Sequence, residues 1–361
     1  KKLAFIFSFL SSFSFSVVTL LIISTFTSSR SAGETAGYFF AFMALACGLI
    51  FFIYSFKYYL SVIFVLFLAR KSDQSKENGI TSFSKAFIPD VSEVELQRHP
   101  FVSIHLPLFN EKRVVNRLLT AMTSLTYENY EVIICDDSTD ETKDKVNEWR
   151  NHPKVKISHR DTREGYKGAA LAQALTLMDP KTEFVVVFDA DFIPFGDSIE
   201  QFLKYFQLFT GSLEKDKYTN SNIAAAQGYQ WHILNKSENW VTRGVRTEYS
   251  GSYVIERSGV EIYQGLKQIA GSVFMVRADL LKSFGWGTSI TEDLELTLRL
   301  YAQGYKVAYT PYIQAPSECV STIKRLIRQR MRWAEGHSHN IKKMFKRVIT
   351  SPNLTIFEKF E

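Results

Sequence analysis

Two aspartates, Asp189 and Asp191, are the residues of this sequence whose types and spacing point most directly to chemistry. They follow the apolar run 184–188, whose Val and Phe residues predict a buried parallel strand. Ligands of open α/β sheets bind at the carboxyl ends of such strands. Two carboxylates at this edge would suit Mg²⁺ or Mn²⁺ bound to a diphosphate, whereas the alternative is an ordinary solvent-exposed Asp turn.

A second pair of carboxylates, Asp136 and Asp137, follows the apolar run 132–135. A carboxylate at this position could accept a hydrogen bond from a nucleobase imide N–H or from a ribose hydroxyl. With Ser138 and Thr139, the same residues could instead cap a helix. Spacing alone favours the cap.

A turn that contains two glycines, residues 163–168, is predicted to open a helix. Its Lys167 could pair with a phosphate group, and the helix N-terminus would add a favourable dipole. An ordinary exposed loop explains the same residues equally well.

Thr291, Glu292 and Asp293 precede a leucine-rich stretch that predicts a helix. Thr291 as the N-cap, followed by two acidic residues that complement the helix dipole, explains this composition fully. In the functional interpretation, Asp293 is a general base that takes a proton from an acceptor hydroxyl.

Gln329, Arg332 and Trp333 lie in a basic stretch whose spacing predicts an amphipathic helix over about residues 320–339. Trp333 could stack on a sugar ring, and Arg332 could pair with phosphate. Spacing alone favours a solvated basic face with a Trp that anchors it to a membrane.

The order of the predicted elements between these motifs indicates an α/β fold. Apolar strands alternate with helices over residues 101–315, which predicts one domain with a doubly wound, mostly parallel sheet. The predicted helices in its first half are residues 114–124, 141–150 and 168–177. The remaining region, residues 316–361, is predicted to carry the amphipathic helix along a membrane surface.

Residues 1–70 are predicted to form a transmembrane region. Residues 3–26 hold no charge and residues 38–69 hold one lysine, so each stretch is long enough to span a bilayer. The basic residues that flank the two stretches place both the N-terminus and everything after Lys71 on the cytoplasmic side. Residues 71–100 are predicted to be a juxtamembrane linker.

The distribution of charge indicates the kind of partner, and the spacing of the cysteines indicates their redox state. The net charge of the 361-residue chain is +6, but Lys and Arg are concentrated in residues 324–347. A nucleic acid could attract such a cluster, yet the apolar N-terminal stretches favour a membrane surface, so no nucleic-acid partner is expected. Cys47, Cys135 and Cys319 have neither zinc nor disulfide spacing, which predicts reduced structural thiols.

Taken together, these motifs resemble the D, DxD, TED and QxxRW signature of the processive membrane glycosyltransferases of family 2. The matching residues, in chain order, are Asp136-Asp137, Asp189-x-Asp191, Thr291-Glu292-Asp293 and Gln329-x-x-Arg332-Trp333. Residues 107–111, which end in Glu111, resemble the P-x-(F/Y)-N-E turn that opens the family's domain. The sequence around the motifs is most similar to the cellulose-synthase-like mannan and glucomannan synthases. The resemblance covers about residues 101–337 and implies a GT-A fold.

The resemblance also implies a donor pocket for a nucleotide sugar. The residues implied to contact the donor are Glu111, Asp136, Asp137, Lys167, Asp189, Gln329 and Arg332. Asp189 and Asp191 would hold the diphosphate through Mg²⁺ or Mn²⁺, which would stabilise the leaving group. The stretch 265–271 departs from the Asn-Gly-rich turn of mannan synthases, so the donor stays open between the UDP-glucose and GDP-mannose types.

For the acceptor side, the resemblance implies that Asp293 deprotonates the attacking hydroxyl for in-line, inverting displacement at the anomeric carbon. Trp333 and Glu292 would contact the acceptor, with Trp333 as a platform for the terminal sugar of the growing chain.

The leading functional prediction is therefore a processive, inverting transferase that adds hexose to a β-linked polysaccharide. One alternative is a single transfer to a lipid acceptor, such as polyprenyl phosphate or diacylglycerol, which would need no platform for a growing product. Another is a catalytically silent membrane scaffold, although every carboxylate of the signature is present.

The partners expected with this function are a nucleotide sugar, a polysaccharide and the lipid bilayer, together with a second copy of the chain or accessory export subunits. We expect an integral membrane protein of the plasma membrane, or of the Golgi in a eukaryote, with a cytoplasmic catalytic domain. Because the family continues into further membrane spans, we also expect residues beyond Glu361.

Overall fold

The computed structural model describes residues 31–77, 91 and 94–361 of the chain. The contacts between residues divide the chain into two units, one that ends at Leu60 and one that begins at Ser61.

The first described element is the helix α1 (Ala32–Glu77). Its segment Ala32–Phe67, 36 residues long, is apolar and long enough to cross a membrane, by length and composition. Large apolar side chains such as Phe51 and Phe52 are exposed along it. This helix agrees with the apolar stretch predicted over residues 38–69, whereas the span predicted at residues 3–26 lies outside the described residues.

A seven-stranded sheet forms the centre of the second unit. Its strands are β1 (Val102–Leu108), β2 (Tyr130–Asp136), β3 (Val155–His159), β4 (Phe184–Val187), β5 (Ile223–His232), β6 (Phe274–Arg277) and β7 (Lys306–Ser317). The strand order is β3–β2–β1–β4–β6–β5–β7. The first four strands are parallel, and so are β5 and β7.

Strand β6 is antiparallel to both of its neighbours, β4 and β5. The mostly parallel sheet predicted from the sequence is therefore confirmed, but this antiparallel strand was not predicted. A run of four buried residues carries no period that could reveal its direction.

Helices and a π-helical turn connect the strands. They are α2 (Val115–Thr123), α3 (Thr142–Asn147), α4 (Tyr166–Leu177), α5 (Ser198–Thr210), α6 (Lys215–Asn220), α7 (Trp240–Ser250), the π-helical turn Gly251–Glu256, α8 (Arg257–Tyr263), α9 (Ala278–Phe284), α10 (Glu292–Ala302), α11 (Ile323–Thr350) and α12 (Ile356–Phe360).

The helices cover both faces of the sheet, because the strand side chains alternate between two apolar clusters. Ile104 and Ile134 face the cluster that includes α2 and α5, whereas Ile133 and Val185 face the cluster that includes α4, α9 and α10. Burial on both faces explains why these strands read as continuous apolar runs in the sequence.

Two predicted helices have different lengths in the structure. The helix predicted over residues 141–150 is only the short α3, because residues 149 and 150 close into tighter turns on Val146 and Asn147. The helix predicted over residues 320–339 continues to Thr350 as α11, since Met344 packs against leucines of α10 and extends the contact.

Candidate active site

The first two predicted acidic motifs lie at one edge of the sheet. Asp136 ends β2 in register with Leu108 of β1, and Val187 at the end of β4 pairs with His105 of β1. Asp189 follows β4 by two residues, so the first two acidic motifs emerge at the carboxyl ends of two parallel strands that lie on either side of β1. The expectation that a ligand site would form at this edge therefore has a structural basis.

Asp136 and Asp137 are both buried, and each is paired with a basic side chain. Asp136 Oδ2 lies 2.8 Å from His159 Nδ1, and its Oδ1 accepts the Ser138 N–H at 3.0 Å. Asp137 accepts two hydrogen bonds from the Arg160 guanidinium, through Nε at 2.7 Å and through Nη2. The cap that spacing favoured is not formed, because the N-cap of α3 is Glu141 without a side-chain hydrogen bond, and the Thr142 N–H donates to Asp140 at 3.0 Å.

His159 and Arg160 are functional candidates that the sequence reading missed. His159 is the last residue of β3 and is in register with Asp136, so both side chains reach the same edge. The signal that could have identified them is their position at the carboxyl end of β3, beside the acidic end of β2.

The turn that contains Glu111 closes against the loop after β2. The Asn110 backbone N–H donates to Ser138 Oγ at 2.9 Å, and the Asn110 side chain accepts the Thr139 N–H at 2.8 Å. Burial, followed by the charge of Asp189, raises the pKa of Glu111 to about 7. Glu111 therefore belongs to the same electrostatic environment as the motif after β4.

Lys167 links the motif after β4 to the motif at the start of α10. Its Nζ donates to Asp189 Oδ1 at 2.6 Å and to the Gly271 carbonyl at 2.7 Å, and it lies 3.4 Å from Glu292 Oε1. Burial would lower the pKa of Lys167, but the negative charges of Asp189, Glu292 and Asp293 outweigh it and raise that pKa. The lysine predicted to meet phosphate is therefore a charged contact between two acidic motifs.

Asp191 lies close to other carboxylates and is not neutralised by a neighbour. Burial, followed by the negative charge of Asp189 and then of Glu111, raises the pKa of Asp191 to about 7. Within the residues that the structure describes, Asp191 forms no ion pair with Lys, Arg or His. The neighbouring Lys167 pairs with Asp189 at 2.6 Å.

This arrangement fits a divalent cation held partly by the protein and partly by a diphosphate. Among the described residues no group of three or more His, Cys, Asp and Glu side chains forms a complete metal cage. Mg²⁺ is characteristically bound by one or two carboxylates together with substrate phosphates and water, and Asp189 with Asp191 supplies that donor set.

Thr291, Glu292 and Asp293 form the first turn of α10. Thr291 occupies the N-cap position, but its hydroxyl makes no capping hydrogen bond, so the predicted cap is wrong in its chemistry. Glu292, predicted to contact an acceptor, is buried beside Lys167. Burial raises the pKa of Asp293, and its Oδ1 accepts the Leu294 N–H at 2.8 Å.

Gly271 borders the carboxylate of Asp293. The residue has a φ of 75°, and a Cβ at this position would lie 3.1 Å from Asp293 Oδ2 and 3.6 Å from Lys167 Nζ. A side chain here would therefore press on both the predicted base and the lysine that faces it.

The last motif lies on α11, with Gln329 and Trp333 half-buried and Arg332 exposed. The guanidinium of Arg330 lies 4.5 Å from the centroid of the Trp333 ring and forms an ion pair with Glu248 at 2.7 Å. The Arg330 contact was not predicted, because an Arg three residues before a Trp is common on any basic helix.

Positive charge also collects beside the first motif. Arg163 stacks on the Phe109 ring at 3.6 Å. Burial lowers the pKa of Arg163, Asp137 acts in the opposite direction, and the charge of Arg332 adds to the lowering. Arg332 of α11 is therefore close enough to act on the strand-edge cluster, as expected if both face one anionic ligand.

Comparisons with known proteins were made for both the sequence and the fold. Residues 99–336 match the model of the family described as "Glycosyltransferase like family 2". Among curated proteins, the chain is 28% identical over 275 residues to glucomannan 4-beta-mannosyltransferase 7 of Arabidopsis thaliana, covering 73% of this chain and 47% of that protein. It is 30% identical over 287 residues to glucomannan 4-beta-mannosyltransferase 1 of Oryza sativa subsp. japonica, covering 75% of this chain and 52% of that protein.

The chain thus spans about half the length of the curated relatives that it matches. Among solved structures, its fold is similar to the mannosyltransferase PcManGT from Pyrobaculum calidifontis, determined in complex with GDP-Man and Mn²⁺. The TM-score is 0.55 at 18% sequence identity, over 82% of this chain and 75% of that one. This likeness confirms the predicted GT-A-like fold.

Proposed function

Because the chain belongs to the glycosyltransferase like family 2, and is a glycosyltransferase by that membership, we propose that it transfers hexose repeatedly from a nucleotide sugar to a β-linked polysaccharide. The donor is of the GDP-mannose or UDP-glucose type, and the reaction inverts the anomeric centre. The observation that carries the proposal is the contact of Lys167 with both Asp189 and Glu292, since it joins a diphosphate motif to the motif of a catalytic base.

The donor's nucleoside would bind at the ends of β2 and β3. Asp136 and Asp137 are buried and oriented by His159 and Arg160, so their remaining oxygen lone pairs face fixed directions. Such oriented carboxylates can accept hydrogen bonds from a nucleobase or a ribose hydroxyl. The Arg163–Phe109 stack beside them offers a planar surface for a base.

The diphosphate would lie over Asp189 and Asp191, with Arg332 above it. A bound Mg²⁺ or Mn²⁺ would neutralise the charge that develops on the leaving diphosphate. Lys167 holds Asp189 in place and lowers the repulsion between the carboxylates, while Gln329 and Arg332 would cover the donor from α11. The relatives named as mannosyltransferases, and the Mn²⁺ and GDP-Man of PcManGT, support this assignment.

Asp293 would serve as the general base. Burial raises its pKa, which brings a carboxylate closer to the basicity that proton transfer from a hydroxyl requires. Its location opposite the DxD motif, across Lys167, suits attack on the anomeric carbon from the side away from the leaving group. One displacement of this kind inverts the configuration.

Trp333 would bind the terminal sugar of the growing chain, and its position on α11 supports that role. Helical spacing places Trp333 on one face with Gly336 and Asn340, both buried against the domain. The opposite face carries apolar side chains that are exposed, namely Ile323, Ile327, Met331, Ile341, Phe345 and Ile349. The membrane-anchor role is therefore better served by that second face than by Trp333.

The exposed apolar face of α11 supports attachment to a lipid bilayer. Its residues recur at helical spacing over the length of the helix, and exposed basic residues such as Lys324, Arg328 and Lys346 flank them. A helix of this kind lies in the interface with its apolar face in the acyl boundary and its basic residues at anionic headgroups. Together with the apolar α1, this face supports the proposal that catalysis takes place at a membrane surface.

The experiment that tests the proposed function is product analysis with labelled donors. The protein in detergent or nanodiscs is incubated with radiolabelled GDP-mannose or UDP-glucose and Mn²⁺, and the products are sized and digested with linkage-specific glycosidases. We expect a β-linked polymer from wild type and shortened or no polymer from Trp333→Ala with nucleotide binding retained. A short labelled glycolipid would indicate the single-transfer alternative, and no transfer at all would indicate a scaffold.

A further inference from the structure

A buried polar contact connects the start of α10 to the middle of α11. Asn340 is fully buried, and its Nδ2 donates to the Thr291 carbonyl at 2.8 Å and to Thr291 Oγ1 at 2.9 Å. Gly336 lies one turn earlier, and a Cβ there would lie 2.6 Å from Thr291 Oγ1 and 2.7 Å from its Cγ2. Thr291, Gly336 and Asn340 therefore form one contact between the two helices, which we call the Thr291 contact.

The hydroxyl of Thr291 is committed to this contact rather than to its own helix. Thr291 is the N-cap residue of α10, where a threonine hydroxyl ordinarily accepts a backbone N–H of the first turn. Here it makes no such bond and accepts the amide of Asn340 instead. Capping of α10 does not explain the hydrogen bond from Asn340 to Thr291, whereas a requirement to hold α11 in place does.

On each of the two helices, the Thr291 contact lies close along the chain to a residue that the proposed reaction uses. Asp293 follows Thr291 by two residues, and Trp333 precedes Gly336 by three on the same face of α11. The contact is short and buried, so sliding or rotating α11 would break both hydrogen bonds and meet the hard limit at Gly336. The position of Trp333 is thereby tied to that of Asp293.

We propose that Thr291 and Asn340 are positioning residues that set where the acceptor sugar on Trp333 presents its hydroxyl to Asp293. The inference rests on the proposed function and adds to it the residues that align the acceptor with the proposed base. In the transfer, the acceptor oxygen bonds to the anomeric carbon and its proton passes to Asp293. The bond from that carbon to the diphosphate breaks, and the diphosphate leaves with the electron pair.

Water can replace the acceptor hydroxyl as the nucleophile in this reaction. If Trp333 is displaced, water attacks the same carbon, gives its proton to Asp293, and the sugar is released free rather than joined to a chain. A displacement of about 1 Å can lower a properly oriented transfer about 10²-fold. Breaking the Thr291 contact should therefore raise the ratio of nucleoside diphosphate released to sugar incorporated.

A second contact between the same helices keeps them together independently and provides a control. Lys343 Nζ lies 2.9 Å from Glu295 Oε1, and Met344 packs against Leu294 and Leu298. These contacts lie farther from Asp293 along α10. They should hold α11 on the domain when the Thr291 contact is removed.

The test compares Thr291→Val, which keeps the side-chain shape without the hydroxyl, with Thr291→Ser, which keeps the hydroxyl. Asn340→Leu removes the donor from the other side, and Lys343→Gln alters only the neighbouring contact. For each full-length protein, nucleoside diphosphate release and sugar incorporation into product are measured with the same donor. We expect the ratio of release to incorporation to rise about tenfold or more in Thr291→Val and Asn340→Leu. It should stay near wild type in Thr291→Ser and Lys343→Gln.

The outcomes separate this inference from the proposed function. If wild type releases no diphosphate and transfers no sugar, the proposed function fails. If wild type is active and Thr291→Val lowers release and incorporation in parallel, Thr291 has only a structural role and the inference is overturned. Should Asn340→Leu not fold, the Thr291→Val and Thr291→Ser pair decides, because the first keeps the side-chain shape and the second keeps the hydroxyl.

Discussion

Two groups of carboxylates at the same sheet edge differ in how their charge is balanced. Asp136 and Asp137 are each paired with a basic side chain, His159 or Arg160, and are fully committed to that geometry. Asp191, a short distance along the same edge, faces other carboxylates, and burial and their charge raise its pKa to about 7. The sequence shows the two groups as equivalent strand-end acids.

The difference indicates which kind of ligand each group of carboxylates could bind. A carboxylate held in place by a basic side chain suits recognition by hydrogen bonds, because its direction is fixed. Carboxylates that are buried without a counter-charge destabilise the folded protein, and a bound cation or proton removes that destabilisation. The first group is therefore built to recognise a ligand, and the second to gain positive charge.

The largest effect is expected at the proposed base, Asp293, which belongs to neither group because it lies on α10 and interacts with the charge of Lys167. Asp293→Asn keeps the size of the side chain and most hydrogen bonding but cannot accept the proton. Transfer should fall about 10²–10⁴-fold while donor binding persists. Steady-state rates with a parallel donor-binding titration check this, and near-normal turnover would reduce Asp293 to a first-turn helix acid.

A smaller loss is expected for the proposed metal ligand. Asp191→Asn removes a charge that would hold the cation, so turnover should fall roughly 10²-fold and donor affinity should fall with it. Unlike Asp293→Asn, this variant should respond to higher Mn²⁺ concentration. Full activity of wild type in excess chelator would contradict the metal assignment.

The ion pair between Arg160 and Asp137 is expected to contribute to the stability of the folded protein. Arg160→Gln leaves the buried Asp137 without its ion pair and should lower the free energy of unfolding by about 1.5–3 kcal/mol. Arg150→Gln is the matched control, because Arg150 is exposed and contacts only Asn147, so its effect should stay within about 0.5 kcal/mol. Equal effects in urea denaturation would remove the distinction between the two groups.

The smallest expected effect concerns pH. The pKa values of Asp191 and Glu111 are raised to about 7, from values near 4 in an unfolded chain. Between about pH 4 and 7 the folded state thus binds more protons than the unfolded state, so stability without metal should fall as pH rises through this window.

A divalent cation binds only the ionised carboxylates, so its effect has the opposite trend. The rise in Tm caused by Mn²⁺ should be larger at pH 8 than at pH 6, with affinity falling about tenfold per pH unit for each proton displaced below pH 7. Thermal scans with and without Mn²⁺ at both pH values measure it. An Mn²⁺ effect independent of pH would show that these carboxylates do not bind the ion.

The sequence predicted the parts of the fold and site whose signals are local. The strands β1, β2 and β4 are apolar runs buried on both faces, and α2 buries Val115 and Leu118 as its spacing predicted. The acids after β2 and β4 reach one edge because both strands run parallel to β1, which lies between them. The family match confirms the glycosyltransferase assignment drawn from the four motifs.

Other features depend on distant residues and could not be read locally. The pairing of His159 with Asp136 requires knowing that β3 lies beside β2, and the role of the Thr291 hydroxyl depends on Asn340, far along the chain. The antiparallel β6 is likewise set by its neighbours rather than by its own four residues. Residues far apart in the sequence therefore determine which of the two strand-end motifs is paired with basic side chains.

Mn²⁺ binding in the absence of nucleotide is the measurement that tests the contrast between the two groups most directly. Wild type, Asp191→Asn and Asp136→Asn, each shown to be folded, are titrated with Mn²⁺ at pH 8, and the free ion is followed by electron paramagnetic resonance. The account predicts binding by wild type and Asp136→Asn and its loss in Asp191→Asn. Binding by Asp191→Asn as strong as that of wild type, or equal loss in both variants, would contradict it.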